Sequence, residues 1–277
     1  MVRDIRSREF TKQKRKTLLV RLGVGLLLLL LLAGGVIWLS LLDRLQIKEI
    51  QIFGATVLPA SSLEVEIQKE LQGKYMWLFP KTNVFLYPQK KITQVVREKF
   101  PRTKTIETSV LNNKILKVVV TEREPFALWC NAVPTETEIS QCYFLDEDGF
   151  VFDHAPQFSG NAYFKYYGLL PFEAPIGSYY LSSTTKFYEL SDFVEDTKGM
   201  NITPLYINAK SQDNFELFVF GGGKIMFDTQ ADLMKVAERL SALLKTQNLV
   251  PRSGGELLVD YIDLRFGNKM FFKPKLP

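Results

Sequence analysis

Histidine is almost missing from this sequence: His154 is the only one in 277 residues. A metal centre built on clustered histidines is therefore excluded, and a Ser-His-Asp arrangement would have to use that one side chain. His154 lies just past an expected hairpin, beside Pro156, and the chain holds no G-x-S-x-G, so it reads as a surface residue. Cysteine is limited to Cys130 and Cys142. Internal repeats and low-complexity segments are absent while aromatics make up 13% of the chain, so the body of the protein is expected to be folded. Charge is missing altogether from one stretch, Leu22 to Leu42.

That stretch, LGVGLLLLLLLAGGVIWLSLL, contains eleven leucines, and its 21 residues at about 1.5 Å rise make roughly 32 Å of helix. A bilayer core of about 30 Å is crossed by such a helix. At a few tenths of a kcal/mol per apolar residue, insertion is favoured by on the order of 4–8 kcal/mol. Residues 1–21 carry eight Lys or Arg against Asp4 and Glu9, whereas the other flank opens with the balanced run Asp43, Arg44, Lys48 and Glu49. The positive-inside bias leaves the N-terminus in the cytoplasm and exports everything after Leu42. A cleaved signal would be shorter and end in a small-x-small site, but Ala33-Gly34-Gly35 is followed by more apolar residues, so a retained anchor is expected. The span has neither small-xxx-small spacing nor charge, so its expected role is address and geometry.

The net charge of +5 belongs to the short arm. With residues 1–21 set aside, 27 basic residues face 28 acidic ones, a net of −1, and nucleic acid is not the expected partner. The arm reads as a topology signal that can also touch anionic headgroups, with a specific cytoplasmic partner as the alternative.

Beyond the anchor, 235 residues are enough for one large or two modest domains. Residues 47–53 (IKEIQIF) alternate as a half-buried strand does, ended by Gly54. A helix follows Pro59 with Leu63, Ile67 and Leu71 on one face; Ser61 and Glu64 suggest a capping box, and Gly73 an αL residue past its end. A second helix is expected over 88–100, with Ile92, Val95 and Val96 inward. Strands at 105–110 and 115–121 are joined by an Asn112-Asn113 turn. The order β-α-α-β-β in about 80 residues describes a small α+β module with helices on one face of a short sheet.

Past Pro125 strands and turns dominate. Tyr143-Phe144-Leu145 and Phe150-Val151-Phe152 flank Asp146-Glu147-Asp148-Gly149, and a D-G pair between apolar runs signals a hairpin. A calcium loop is the other reading, but the D-x-D-x-D-G order and terminal Glu are missing, so no metal is expected. A helix over 183–194 places Phe187, Leu190 and Val194 on one side. Strands at 205–209 and 215–220 follow, then Gly221-Gly222-Gly223 ahead of a strand at 224–227. A phosphate cradle needs its glycines to lead into a helix, so these read as a hairpin turn. Thr229, with Asp232 as third-position acid, is expected to cap a helix striped by Leu233, Val236, Ala237, Leu240 and Leu244. Residues 257–266, a Gly267-Asn268 turn and residues 269–273 complete a mainly antiparallel β domain with packed helices.

Cys130 and Cys142 stand at either end of a polar excursion, with Leu128-Trp129 and Tyr143-Phe144 on the strand sides. Antiparallel strand ends paired there bring the thiols within reach. On the exported side a disulfide closing roughly a dozen residues would persist and contribute on the order of 3 kcal/mol. A structural disulfide is expected, with free or separated thiols as the alternative.

Two blocks resemble the FtsQ/DivIB family of bacterial cell-division proteins. The first joins Ile50-Gln51-Ile52-Phe53-Gly54, the helix ending at Phe100-Pro101, and a V-x-V-x-E-R-x-P-x-A pattern met by Val118, Val120, Glu122, Arg123, Pro125 and Ala127. Asn112-Asn113 stands where that family often has Trp-Pro. The second, Tyr261-Ile262-Asp263-Leu264-Arg265-Phe266, is similar to the Y-[IV]-D-L-R-[YF] near the family's C-terminus, while about 131–201 matches weakly. The resemblance implies an α+β chain in four parts: a basic cytoplasmic tail (1–21), a transmembrane helix (22–42), a POTRA domain (45–124) and a C-terminal β domain (125–277). It also implies contact with small bitopic division proteins of the FtsB and FtsL kind, and recruitment or regulation of septal wall synthesis. No catalytic residue, cofactor or small-molecule substrate is implied. The expected location is the cytoplasmic membrane at the septum.

Strand addition is the expected mechanism. The chain's last strand, Lys269-Met270-Phe271-Phe272-Lys273, would form a sheet edge that an extended partner segment continues by main-chain hydrogen bonds. Candidate contacts are Arg265, Phe266, Asn268, Met270, Phe271 and Phe272. Arg265 and Phe266 match family contact positions, Phe266 lacking the hydroxyl of the commoner Tyr. A buried terminal strand is the plainer reading of the last three. The rival class is a membrane-anchored wall hydrolase or transpeptidase, for which a nucleophile and base are wanting. A translocation component would carry several such modules and a barrel.

Overall fold

A computed structural model describes residues 5–133, 140–158, 160–171, 173–250, 255–267 and 269–275, with side chains from Lys14 onward. Helix α1 (Ile5–Ser40) takes in the basic arm as well as the apolar run, because the Lys, Arg and Gln residues before Leu22 are themselves good helix formers. Its stretch Lys14–Ser40 is long and apolar enough to cross a membrane. The remainder is a mixed α/β chain falling into two compact units, residues 1–97 with 105–121, and residues 98–104 with 122–277.

In the first unit a 3₁₀ turn at Asp43–Leu45 leads to β1 (Glu49–Phe53), α2 (Ala60–Leu71), a short hairpin of β2 (Lys74–Tyr75) and β3 (Phe79–Pro80), and α3 (Gln89–Lys99). Then come β4 (Thr103–Leu111), whose first two residues cluster with the second unit, and β5 (Ile115–Glu122). The sheet order is β1-β5-β4, with β1 parallel to β5. Leu63, Ile67 and Leu71 of α2 and Ile92, Val95 and Val96 of α3 are buried at one-face spacings, and Leu116, Val118 and Val120 alternate inward along β5. Asn112 and Asn113 both take positive φ, 51° and 54°, as a two-residue hairpin turn demands. The capping box expected at Ser61 is not formed. Pro59 is the N-cap with no side-chain bond, and Ser61 falls inside the first turn. The β2–β3 hairpin has no counterpart among the expected elements.

The second unit is built on one nine-stranded sheet. Its strands are β6 (Ala127–Cys130), β7 (Cys142–Leu145), β8 (Val151–His154), β9 (Lys165–Tyr167), β10 (Pro204–Ala209), β11 (Asn214–Val219), β12 (Lys224–Asp228), β13 (Val259–Phe266) and β14 (Lys269–Pro274), in the order β14-β13-β12-β11-β10-β9-β6-β7-β8. Three pairings are parallel, β12–β13, β9–β10 and β6–β9, so the sheet is more mixed than expected. Two helices, α4 (Thr184–Gly199) and α5 (Leu233–Gln247), share its main core: Phe187, Leu190 and Phe193 of α4 and Val236, Leu240 and Leu244 of α5 cluster with Ile207, Leu217, Ile225 and Ile262 of the strands. A smaller cluster holds Leu128, Phe144, Phe152 and Tyr167. β9, only three residues long, joins β10 to β6 and makes one sheet of two halves.

Ser183 caps α4 by accepting from the Lys186 N–H. At α5 the expected cap moves: Asp232 Oδ1 accepts from the Met234 and Lys235 N–H groups, whereas Thr229 is buried, its hydroxyl donating to the Gln212 carbonyl and its N–H to that of Asp213. Gly221 and Gly222 take positive φ in a turn that leads into β12, not into a helix. Asp146, 2% exposed, organises the β7–β8 turn: Oδ1 accepts from the Asp148 and Phe150 N–H groups at 3.0 and 2.8 Å, and the other oxygen pairs with Arg123.

A disulfide joins Cys130 and Cys142, which stand directly opposite in the β6–β7 register. Reducing it is expected to lower the stability of this unit by about 3 kcal/mol, the loop-closure entropy of a dozen residues. Urea titration with and without reductant checks the size, and thiol counting on the unreduced protein should find no free thiol.

Candidate functional site

The sheet's two edges differ. At the β8 edge the segment Gly177–Tyr180 already supplies partners: Val151 N–H donates to the Ser178 carbonyl (2.9 Å), Gly177 N–H to that of Val151 (2.8 Å), and Tyr180 N–H to that of Gly149 (2.8 Å). β14 forms the other edge, and among the described residues no strand lies beyond it. Main-chain groups pointing away from β13 are therefore open to an added strand.

β13 and β14 are antiparallel, with Ile262 opposite Phe272, Asp263 opposite Phe271, and Phe266 opposite Lys269. Between the last two pairs, Leu264 and Arg265 of β13 face the single residue Met270, a β-bulge. Asp263 holds the bulge in shape. Its buried carboxylate accepts the Arg265 backbone N–H (3.1 Å) and Nε (2.9 Å) on Oδ1 and Nη2 (2.6 Å) on Oδ2. Burial alone would raise the Asp263 pKa; hydrogen bonds from Arg265, with the charges of Arg265 and Lys224, outweigh that and hold it below the ordinary carboxylate value. The lock is thus complete at neutral pH and is lost only as pH falls through that lowered value, below about 4.

The bulge gathers three of the candidate contacts. Arg265, Phe266 and Phe271 are all exposed; the Arg265 guanidinium lies 5.8 Å from the Phe266 ring centre, and that ring meets Phe271 edge-on at 5.4 Å. Met270 and Phe272 point the other way and pack against the main core, so they are not surface contacts of the isolated chain. Alternation along β14 forces this division. Asn268 lies outside the described residues. What the sequence pattern missed is Asp263, whose carboxylate orients Arg265; an acid two residues before an Arg in a strand carries no distinctive signal.

His154 is exposed and its ring packs on Tyr143 at 4.7 Å. Among the described residues no three His, Cys, Asp or Glu side chains come together to hold a metal ion. A cleft of about 580 Å³ is lined by residues that include Leu128, Ser140, Cys142, Phe158, Lys165 and Tyr167. Neither a scan of protein-family models nor a search of curated proteins finds a match to this chain.

Proposed function

We propose that this protein is a single-pass membrane scaffold of the bacterial division machinery, of the FtsQ/DivIB kind, with its N-terminus in the cytoplasm and everything after Leu42 outside. It binds small bitopic division proteins like FtsB and FtsL by strand addition and so recruits or regulates septal wall synthesis. It performs no chemistry of its own. The observation that carries this reading is the open β14 edge beside the outward cluster of Arg265, Phe266 and Phe271, in a sheet whose other edge is covered at Val151 by its own chain. With the short β2–β3 hairpin set aside, the β-α-α-β-β order with the first strand parallel to the last supports a POTRA domain in the first unit. α1 supports the anchor.

The partner would extend the sheet along β14 and bury the aromatic pair, while Arg265, already oriented by Asp263, meets an acidic or carbonyl group at the rim. Phe271→Ser is the discriminating substitution because this side chain is half exposed and a small neutral residue adds no charge opposite Asp263. Loss of a hot-spot aromatic weakens binding by about 2 kcal/mol or more, roughly thirty-fold. Purified protein should retain small single-span coiled-coil proteins from solubilised division-stage membranes, and the variant should not, at unchanged melting temperature. Release of wall fragments by the purified protein would favour the hydrolase instead.

A further inference from the structure

We propose that the β2–β3 hairpin, with the following Phe85 and Leu86, is a second membrane contact that seats in the headgroup region of an anionic bilayer beside the emerging end of α1. It rests on reading α1 as a membrane span. Three side chains in this short segment are almost bare: Trp77 is 92% exposed, Met76 82% and Phe85 78%. Tyr75, Leu78 and Leu86 are exposed as well. So dense an apolar surface on a hairpin of four strand residues gains nothing for the fold and needs an apolar occupant.

The backbone points the same way. Met76 and Trp77, at the tip, both have positive φ, 48° and 60°. A tight hairpin tip with that geometry prefers Asn or Gly, and large side chains there are strained. Strain kept at an exposed tip marks a contact outside the chain.

The position of the segment selects lipid as the occupant. β3 packs on α1, and the buried Asn83 donates its Nδ2 to the Ser40 carbonyl at 3.0 Å, joined there by Gln46 Nε2 at 2.7 Å. Ser40 is buried and Ile37 half-buried, while the other α1 side chains from Lys14 onward are bare. Both lie inside the apolar run that continues to Leu42, so whatever covers them stands at the level where the span leaves the membrane. Trp and Tyr favour that level. Charge agrees: residues 71–97 contain Lys74, Lys81, Lys90, Lys91 and Arg97 and no acid, a match for anionic headgroups. The Lys81 ammonium also sits 5.8 Å from the Tyr75 ring centre, as a headgroup-level pair would.

The test uses the full-length protein in vesicles of phosphatidylglycerol and phosphatidylcholine, with bromine placed either near the glycerol end or near the tail end of the acyl chains. Trp129 is buried in the second unit and is kept as a constant background. Trp38→Phe leaves Trp77 as the variable reporter, and Trp77→Phe leaves Trp38, on α1. Quenching and a blue shift of Trp77 with the shallow label, weaker with the deep one, is the expected result. Quenched Trp38 beside unquenched Trp77 would overturn the hairpin contact and leave the span standing. If neither is quenched, the span itself fails, and the hairpin proposal with it.

Discussion

Asp146→Ala is expected to destabilise the second unit by about 3–5 kcal/mol, the range for removing one partner of a buried ion pair. Asp146 is 2% exposed and the Arg123 side chain that it faces is 11% exposed, so the guanidinium left behind cannot recover its hydration. Two amides, of Asp148 and Phe150, lose their acceptor in the same substitution. Arg123 also lies over the Phe150 ring, 4.0 Å from its centre, so the turn and the ion pair loosen together. Asp146→Asn retains an acceptor for the amides and should fall between. The exposed i,i+3 pair Glu195–Lys198 gives the contrast: Lys198→Ala should stay within about 0.5 kcal/mol. Urea titration followed by Trp129 fluorescence, in a background with Trp38 and Trp77 replaced by Phe, measures all three. An Asp146→Ala effect no larger than that of Lys198→Ala would show that the turn does not depend on this carboxylate.

Alkali is expected to destabilise the second unit as pH rises above about 10. Tyr166 and Tyr180 are fully enclosed in the main core, and burial pushes both phenols up, with smaller contributions from the charge of Glu195 and from Tyr166 respectively. Tyr167 is pushed up to about 12, again first by burial. The Tyr180 hydroxyl donates to the Tyr167 carbonyl at 3.0 Å, a bond that only the protonated phenol makes. Their folded pKa values exceed the unfolded value near 10, so the stability they contribute is complete below pH 10 and is lost as pH rises toward the folded values. Tyr166 and Tyr180 therefore weaken the unit progressively as pH rises above the unfolded value. Circular dichroism against pH reads the midpoint, and Tyr166→Phe should move it upward. A midpoint unmoved in that variant would contradict the assignment.

Most regular elements were legible because their signals are local. The stripes of α2, α3, α4 and α5 repeat at helical spacing, and Asn112-Asn113 and Asp146 to Gly149 are turn chemistry between apolar runs. Caps were harder. Thr229 and Asp232 are equally good N-cap types, and only the tertiary use of Thr229 by the Gln212 and Asp213 carbonyls decides between them. β9 has three residues, too few to show a period, and it is a strand only because β6 and β10 flank it. At the candidate site the identities of Arg265, Phe266 and Phe271 were readable, but their grouping on one face was not. It follows from the Leu264–Arg265 bulge, which shifts the alternation by one residue and leaves no mark in composition. The exposed hairpin at Met76-Trp77 was missed for the opposite reason: its residues look like core, and only their exposure sets them apart.

Site-specific photocrosslinking in native membranes tests the strand-addition edge most directly. A benzoylphenylalanine at position 271, on the open edge, should capture a small single-span protein, while the same group at position 154, in the opposite edge strand β8, should not. No adduct at 271, or the same adduct in equal yield at 154, would contradict binding at β14.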